Sequence, residues 1–277
     1  MKKIALITGC SSGIGRATAI LFAAHGWQVV ATMRDPAKAG ELASLPNVGI
    51  GKLDVTDPQS IAALVKQTLD SWGRIDVLVN NAGFGAFGPF ETASDALIER
   101  QLATNLKGVF DLSRAVLPAM RQQGEGTIVN IASIGGLTTM PLNAIYHATK
   151  YAVVGFTEGL AYELAPFGIR AKIIAPGGVR TEFAAGSLAL TFSDDQHPYV
   201  GMVGRVTQAF AGRASQHSEP EDIAKVIYRA ATDGSAQITY VAGADAEALL
   251  AARAKLGEQG YVAMMSERFN VAGTAPQ

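Results

Sequence analysis

Short, continuous apolar runs recur at residues 3–8, 27–33, 47–55, 75–79, 126–132 and 169–175, with a further one at 237–241. Each is bounded by turn-forming residues and is too short for a buried helix, so each predicts a strand covered on both faces. Between these runs the apolar positions take on helical spacing. Residues 16–25, 56–72, 94–123 and 143–167 follow it, as do a stretch opening at Ser218-Glu219-Pro220-Glu221 and the tail 245–270. The starts carry N-terminal signals, such as Thr56-Asp57-Pro58 and Ser94. Strands alternating with helices imply an α/β fold, a Rossmann-type doubly wound parallel sheet of about seven strands. One domain over residues 1–277 is expected.

Residues 183–217 break the rhythm. Tyr199, Met202, Val203, Val206 and Phe210 fall on one helical face. That face suits either a helix packed on the core or a substrate lid, because the segment follows the C-terminal end of a strand. The alanine- and methionine-rich helical extension 245–270 reads as core or subunit contact.

Composition narrows the classes of partner. With 277 residues, 48% of them hydrophobic, the chain can bury a large core. Its net charge of -1 gives no reason to expect nucleic acid or an anionic membrane surface. Cys10 is the single cysteine, which excludes an internal disulfide and a cysteine-rich metal site, and no metal is expected. The opening Met1-Lys2-Lys3 and the apolar run up to Cys10 imitate a lipoprotein signal. Only residues 4–7 are continuously apolar, shorter than the ~7–15 residues such a signal needs. No run approaches the ~20 residues of a membrane span. A cytoplasmic protein acting on a small molecule is the expectation.

Candidate chemistry clusters where the predicted strands end. After the first comes Gly9-Cys10-Ser11-Ser12-Gly13-Ile14-Gly15, then a helix. Gly9 would allow a tight turn, and Gly13 and Gly15 would let backbone and helix approach a pyrophosphate. The spacing is Gly-x-x-x-Gly-x-Gly, which an ordinary glycine-rich turn can also show. The second strand ends Thr32-Met33-Arg34-Asp35. Arg34 suits the 2′-phosphate of NADP, whereas Asp35 leaves NAD(H) as a second choice or serves as a helix cap before Pro36. The third strand ends in Asp54 and Val55, and the fourth in Asn80-Asn81-Ala82-Gly83. Asn105 interrupts an apolar helix, either bonding a backbone carbonyl or holding a kink and a water. Ser133 closes the fifth strand. The next helix carries Tyr146 and Lys150, one turn apart on one face. An ammonium beside a phenol favours the phenolate, so the pair could exchange protons near neutral pH. Pro176-Gly177-Gly178-Val179-Arg180-Thr181 follows the sixth strand.

Taken in order, Thr8-Gly9-x-x-x-Gly13-x-Gly15, Asn80-Asn81-Ala82-Gly83, Asn105, Ser133, Tyr146-x-x-x-Lys150 and Pro176-Gly177 resemble the short-chain dehydrogenase/reductase family over essentially the whole chain. Ala31-Thr32-Met33-Arg34-Asp35, Asn81-Ala82-Gly83-Phe84-Gly85 and Pro141-Leu142-Asn143 look like its 17-beta-hydroxysteroid dehydrogenase-like branch. The resemblance implies that Tyr146 exchanges a proton with the substrate oxygen and that Lys150 lowers its pKa and bonds the nicotinamide ribose. Ser133 would hold the substrate oxygen, and Asn105 a water leading to Lys150. It further implies cofactor contacts from Gly9, Ser11, Ser12, Gly13, Ile14, Gly15, Arg34, Asp54, Val55, Asn80, Ala82, Gly83, Pro176, Gly177, Val179 and Thr181. The family often carries a second basic residue in the glycine loop for NADP; Ser12 stands there instead. Expected, then, is an NADP(H)-dependent oxidoreductase of an apolar ketone or alcohol, working as a homodimer or homotetramer. An NAD-dependent alcohol dehydrogenase and a cofactor-sensing binding protein are the alternatives.

Overall fold

Odd and even positions within the apolar runs point to opposite faces of one sheet, and this alternation builds two cores. The computed structural model describes residues 2–181, 188–191, 197–212, 215 and 217–271. Strands β1 (Ile4–Thr8), β2 (Gln28–Met33), β3 (Val48–Lys52), β4 (Val77–Asn80), β6 (Gly126–Ile131), β7 (Ile169–Pro176) and β9 (Thr239–Ala242) form a seven-stranded sheet ordered β3-β2-β1-β4-β6-β7-β9. Every pairing in it is parallel. On one face Ala5, Ile7, Val29, Ala31, Val77 and Val79 pack under helices α1 (Gly13–Ala24) and α7 (Pro220–Thr232). On the other, Ile4, Leu6, Val30 and Leu78 pack under α2 (Pro58–Trp72), α4 (Gly108–Gln123) and α5 (Ala144–Leu164). The expected α/β architecture is therefore present.

Three features depart from the sequence pattern. The single long helix expected over residues 94–123 is two, α3 (Asp95–Leu102) and α4, joined by a π-turn at Ala103–Lys107. Two three-residue strands, β5 (Gly85–Phe87) and β8 (Leu188–Leu190), pair in parallel outside the main sheet. They tie the chain after β4 to the segment after β7. A short 3-10 segment, Pro36–Ser44, fills the β2–β3 connection, with Gly40 at a φ of 56° breaking it.

Within the expected lid, residues 200–211 form helix α6 (Val200–Ala211); residues 183–187, 192–196, 213, 214 and 216 lie outside the described residues. The tail forms α8 (Ala244–Arg268), bent at Gly257 where φ is 68°. Helices α6 and α8 share a satellite core in which Val206, Leu249, Tyr261, Met265 and Phe269 meet Phe87 and Ile134. No helix among the described residues is long and apolar enough to cross a membrane.

Candidate active site

The strand order reverses between β1 and β4, which opens a crevice beyond their C-terminal ends. Thr8 sews its two lips together: its hydroxyl accepts from the amides of Asn81 (2.9 Å) and Ala82 (2.8 Å). The Asn81 carboxamide returns a hydrogen bond to the Thr8 carbonyl at 2.8 Å. Gly9 turns at a φ of 72°, a conformation glycine adopts without strain. A Cβ at Gly15 would lie 2.3 Å from the Gly9 carbonyl oxygen, so only glycine lets α1 seat on this loop. Ser12 caps α1 without a side-chain hydrogen bond, and no acidic residue sits in the first turn. The N-terminal N–H groups are thus left for an anion, and the loop fits a pyrophosphate. Thr181 closes in from the loop after β7, its methyl 3.0 Å from where a Gly13 Cβ would be.

At the far end of the crevice, Met33 is buried and Arg34 is exposed. Asp35 Oδ1 accepts from the Ala37 amide at 3.1 Å, the helix-cap geometry. Asp54 is held below the ordinary carboxylate range by the Thr56 hydroxyl and amide and, further off, by the charge of Arg34. Arg16 on α1 donates to the carbonyls of Ser11 and Lys38 and does not line the crevice.

The reacting groups meet at the other end. Ser133 follows β6 and caps a single turn, Ile134–Gly136, its hydroxyl accepting from the Gly135 amide at 3.0 Å. A Cβ at Gly136 would lie 2.7 Å from the Lys150 carbonyl oxygen, and one at Gly135 would lie 2.9 Å from the His147 ring. These two glycines let the turn press against α5, which brings Ser133 into hydrogen bonding with Tyr146. Burial pushes the Tyr146 phenol up, and the Ser133 hydrogen bond draws it back down. Lys150 is buried, and its Nζ donates to the Ile131 carbonyl at 2.8 Å. That Nζ lies 5.6 Å from the centre of the Tyr146 ring. Burial lowers the Lys150 pKa to about 8. The expected depression of the phenol by Lys150 is thus not what this geometry displays: burial dominates, and the ammonium stands over the ring and is bonded elsewhere. His147, beside them, is buried and held neutral, its pKa lowered to about 4. Leu142 precedes α5 at a φ of 61°, uncommon for a branched residue and seen where surrounding contacts enforce it.

One cavity of about 1570 Å³ joins both ends. It is lined by Gly9, Ser11, Ser12, Gly13, Ile14, Arg34, Asp54, Val55, Ala82, Gly83, Ser133, Tyr146, Lys150, Pro176, Gly177, Val179 and Thr181. Three expected residues are not on its wall. Gly15 serves the packing of α1 just described. Asn80 is a correction: it is buried off the cavity wall, where its amide bonds Ser113 of α4 (3.1 Å) and Asn130 of β6 (2.8 Å). Asn105 stands on the π-turn and spends its carboxamide on the backbone of Phe84, accepting its N–H (3.0 Å) and donating to its carbonyl (2.8 Å). The structure thus has the backbone bond expected of Asn105, at a π-turn in the helix.

Sequence reasoning missed several wall residues. Asn81 lines the cavity, although its neighbour Asn80 was the one expected there. Asp245 also lines it and accepts from the Gly178 amide at 2.7 Å, and Gly177 packs so closely that a Cβ would lie 2.1 Å from its carboxylate. Met140, Phe210, Leu249 and Met264 complete an apolar half, with Asn143 near Met140 in sequence. Met140 and Asn143 come from the loop before α5, and the others arrive through α6 and α8, where no cofactor or catalytic motif marks them.

Comparison with known proteins agrees with this geometry. Residues 3–189 match the family model described as short chain dehydrogenase. Retinol dehydrogenase 8 of Bos taurus is 38% identical over 81% of this chain and 76% of its own. A crystal structure of a short-chain dehydrogenase from Streptomyces avermitilis superposes with a TM-score of 0.85 at 34% identity, covering 98% of this chain and 97% of that one. The structure of ElxO with NADP bound gives a TM-score of 0.72 at 30% identity, covering 87% and 98%.

Proposed function

The chain belongs to the short-chain dehydrogenase family and is an oxidoreductase, and on that premise we propose that it uses NADP(H) to interconvert an apolar ketone or aldehyde with its alcohol. The observation that carries this reading is the meeting of Ser133, Tyr146 and Lys150 on one wall of a cavity whose other end presents Arg34. The cavity exceeds the ~300–1,000 Å³ of a typical single-ligand site, which leaves room for a substrate beside a dinucleotide. The open N-terminus of α1 fits the pyrophosphate, and Arg34 fits the 2′-phosphate. Asp35, the basis of the NAD alternative, is engaged as a cap. NADP in the related ElxO supports the same choice.

When bound, the reduced cofactor supplies the hydride. The chain's own residues handle the oxygen. Ser133 Oγ accepts from the Gly135 amide and its hydroxyl is bonded to Tyr146, so substrate entry requires the Ser133 O–H to turn from the Tyr146 oxygen to the substrate oxygen. Tyr146, held protonated by burial, delivers the proton as negative charge develops there. Lys150, with a pKa of about 8, can pass a proton towards the phenolate left behind. In the oxidative direction each transfer reverses.

NADPH consumption by the purified protein across a panel of ketones and aldehydes tests the reading. Tyr146→Phe should lower kcat by roughly 10²–10⁴-fold, the range for loss of a general acid. Unchanged turnover in that variant removes Tyr146 from the mechanism. Arg34→Asp should shift the kcat/KM ratio towards NADH, and intact NADPH preference would refute the role of Arg34.

A further inference from the structure

A cavity built for a dinucleotide alone would concentrate its cations near the phosphates. Here the basic side chains run further. Arg34, Arg100, Lys150, Arg180 and Arg268 line the cavity against only Asp54 and Asp245 among the described residues, in a chain of net charge -1. A concave surface with a surplus of one sign focuses its field and draws ligands of the other.

Four of these cations are already engaged. Arg34 is assigned above to the cofactor, and Lys150 is bonded to the Ile131 carbonyl. Arg180 pairs with Glu219 at 2.6 Å and donates to the Ser215 carbonyl at 3.0 Å. Arg100 stands over the Phe84 ring at 4.9 Å. The Arg268 side chain has no hydrogen bond, ion pair or ring contact among the described residues.

Its mounting is also different. Arg34 follows β2, whereas Arg268 is the last residue of α8, the helix that follows the edge strand β9, and its side chain is exposed. One turn before it, Met264 lines the same cavity. Its chain neighbour Phe269 packs on Phe210 (5.0 Å between ring centres), and Phe210 on Phe87 (5.9 Å). Asp245, Ala248, Leu249 and Ala252 carry the wall back to the Gly178 loop. Apart from Asp245, which holds the Gly178 loop, the residues that α8 contributes to the wall are apolar until the exposed guanidinium of Arg268. An arginine so placed can lay its stem on apolar surface and present its fork to a carboxylate.

We infer that the substrate is an elongated apolar ketone or alcohol ending in an anionic group, and that Arg268 pairs with that group. The inference rests on the oxidoreductase reading above and adds the charge of the substrate's far end.

Two probes test it: an oxo-fatty acid with a methyl ketone at the end of a saturated chain, and its methyl ester. The acid should be the better substrate by about threefold to tenfold in kcat/KM, through KM, as suits a partly exposed ion pair. Added salt should shrink the difference. Arg268→Ala should raise KM for the acid and erase the preference, Arg268→Lys should keep part of it, and Arg268→Glu should reverse it. A second readout needs no turnover. Decanoate and decanol are titrated calorimetrically into the protein–NADP⁺ complex, and decanoate should bind more tightly only while residue 268 is basic. Equal KM values for acid and ester, or equal binding of decanoate and decanol, overturn the inference. Reduction of neither probe, with the Arg268-dependent binding of decanoate intact, counts against the proposed reduction of apolar ketones and upholds the anion site.

Discussion

Lys150 carries a stability cost whose sign follows from its pKa. An unfolded lysine holds its proton up to its ordinary value of 10.5, whereas the folded protein releases it at about 8. Between those values the unfolded chain binds more protons, so stability rises with pH across that window. Below about pH 8 the full cost is present, on the order of 3 kcal/mol. Lys150→Met keeps the stem and removes the charge, but leaves the Ile131 carbonyl without its donor, which costs about 1–3 kcal/mol. The cofactor-free variant should therefore match or exceed the parent by up to about 2 kcal/mol at pH 7. It should lose that advantage near pH 10 and lack reductase activity throughout. Urea denaturation at both pH values checks the first part and NADPH consumption the second. A variant less stable at pH 7 than at pH 10, relative to the parent, would show that the ammonium is not the source of the cost. At this scale the sequence was most informative: Tyr146, Lys150 and Ser133 were legible because one helical turn and one strand end fix their placement. Asn80 and Asn81 were not separable, because adjacent residues on a strand face opposite ways and only the finished sheet says which way is the cavity.

Asn105 shows what an element hides from its own sequence. Apolar spacing runs through residues 94–123 without a visible break, so the π-turn at Ala103–Lys107 could not be read from periodicity. The extra residue in that turn aims the Asn105 carboxamide at the Phe84 backbone, just after the Asn81–Ala82–Gly83 lip of the crevice. Gln101 also donates to the Phe84 carbonyl, at 3.1 Å, but among the described residues only Asn105 receives the Phe84 N–H. Asn105→Ala should thus orphan one donor and destabilise the protein by about 1–3 kcal/mol, read as a lower urea midpoint at unchanged m-value. Gln101→Ala, which leaves the Phe84 carbonyl its bond from Asn105, should cost less from hydrogen bonding. The reverse order would mean that the carbonyl, not the N–H, is the vulnerable group. The short strands β5 and β8 escaped notice for another reason: three residues are too few to show a period, and their pairing joins segments about a hundred positions apart.

Across the whole molecule the packing divides as the chemistry does. The cores above and below the sheet hold the strands whose ends form the dinucleotide crevice, and neither includes a residue of α6 or α8. The satellite core belongs to those two helices and to the loop before α5, and it backs the apolar half of the cavity. That half was invisible in the sequence beyond a helical face at residues 199–210, because its wall comes from long-range packing of α8 rather than from a motif. The division makes the two binding events separable. Phe210 lines the cavity, and among the described residues its ring partners are Phe87 and Phe269, both of the satellite core. Phe210→Ala should cost about 1–3 kcal/mol, less than a fully buried phenylalanine, because the ring is only partly enclosed. Ketone KM should rise about tenfold or more from the loss of apolar contact, while the dissociation constant for NADPH should stay within about twofold. Fluorescence titration of NADPH, set against steady-state KM for one apolar ketone, separates the two. Matched weakening of both would mean that the satellite core supports the dinucleotide crevice as well, and that the cavity works as one unit instead of two halves.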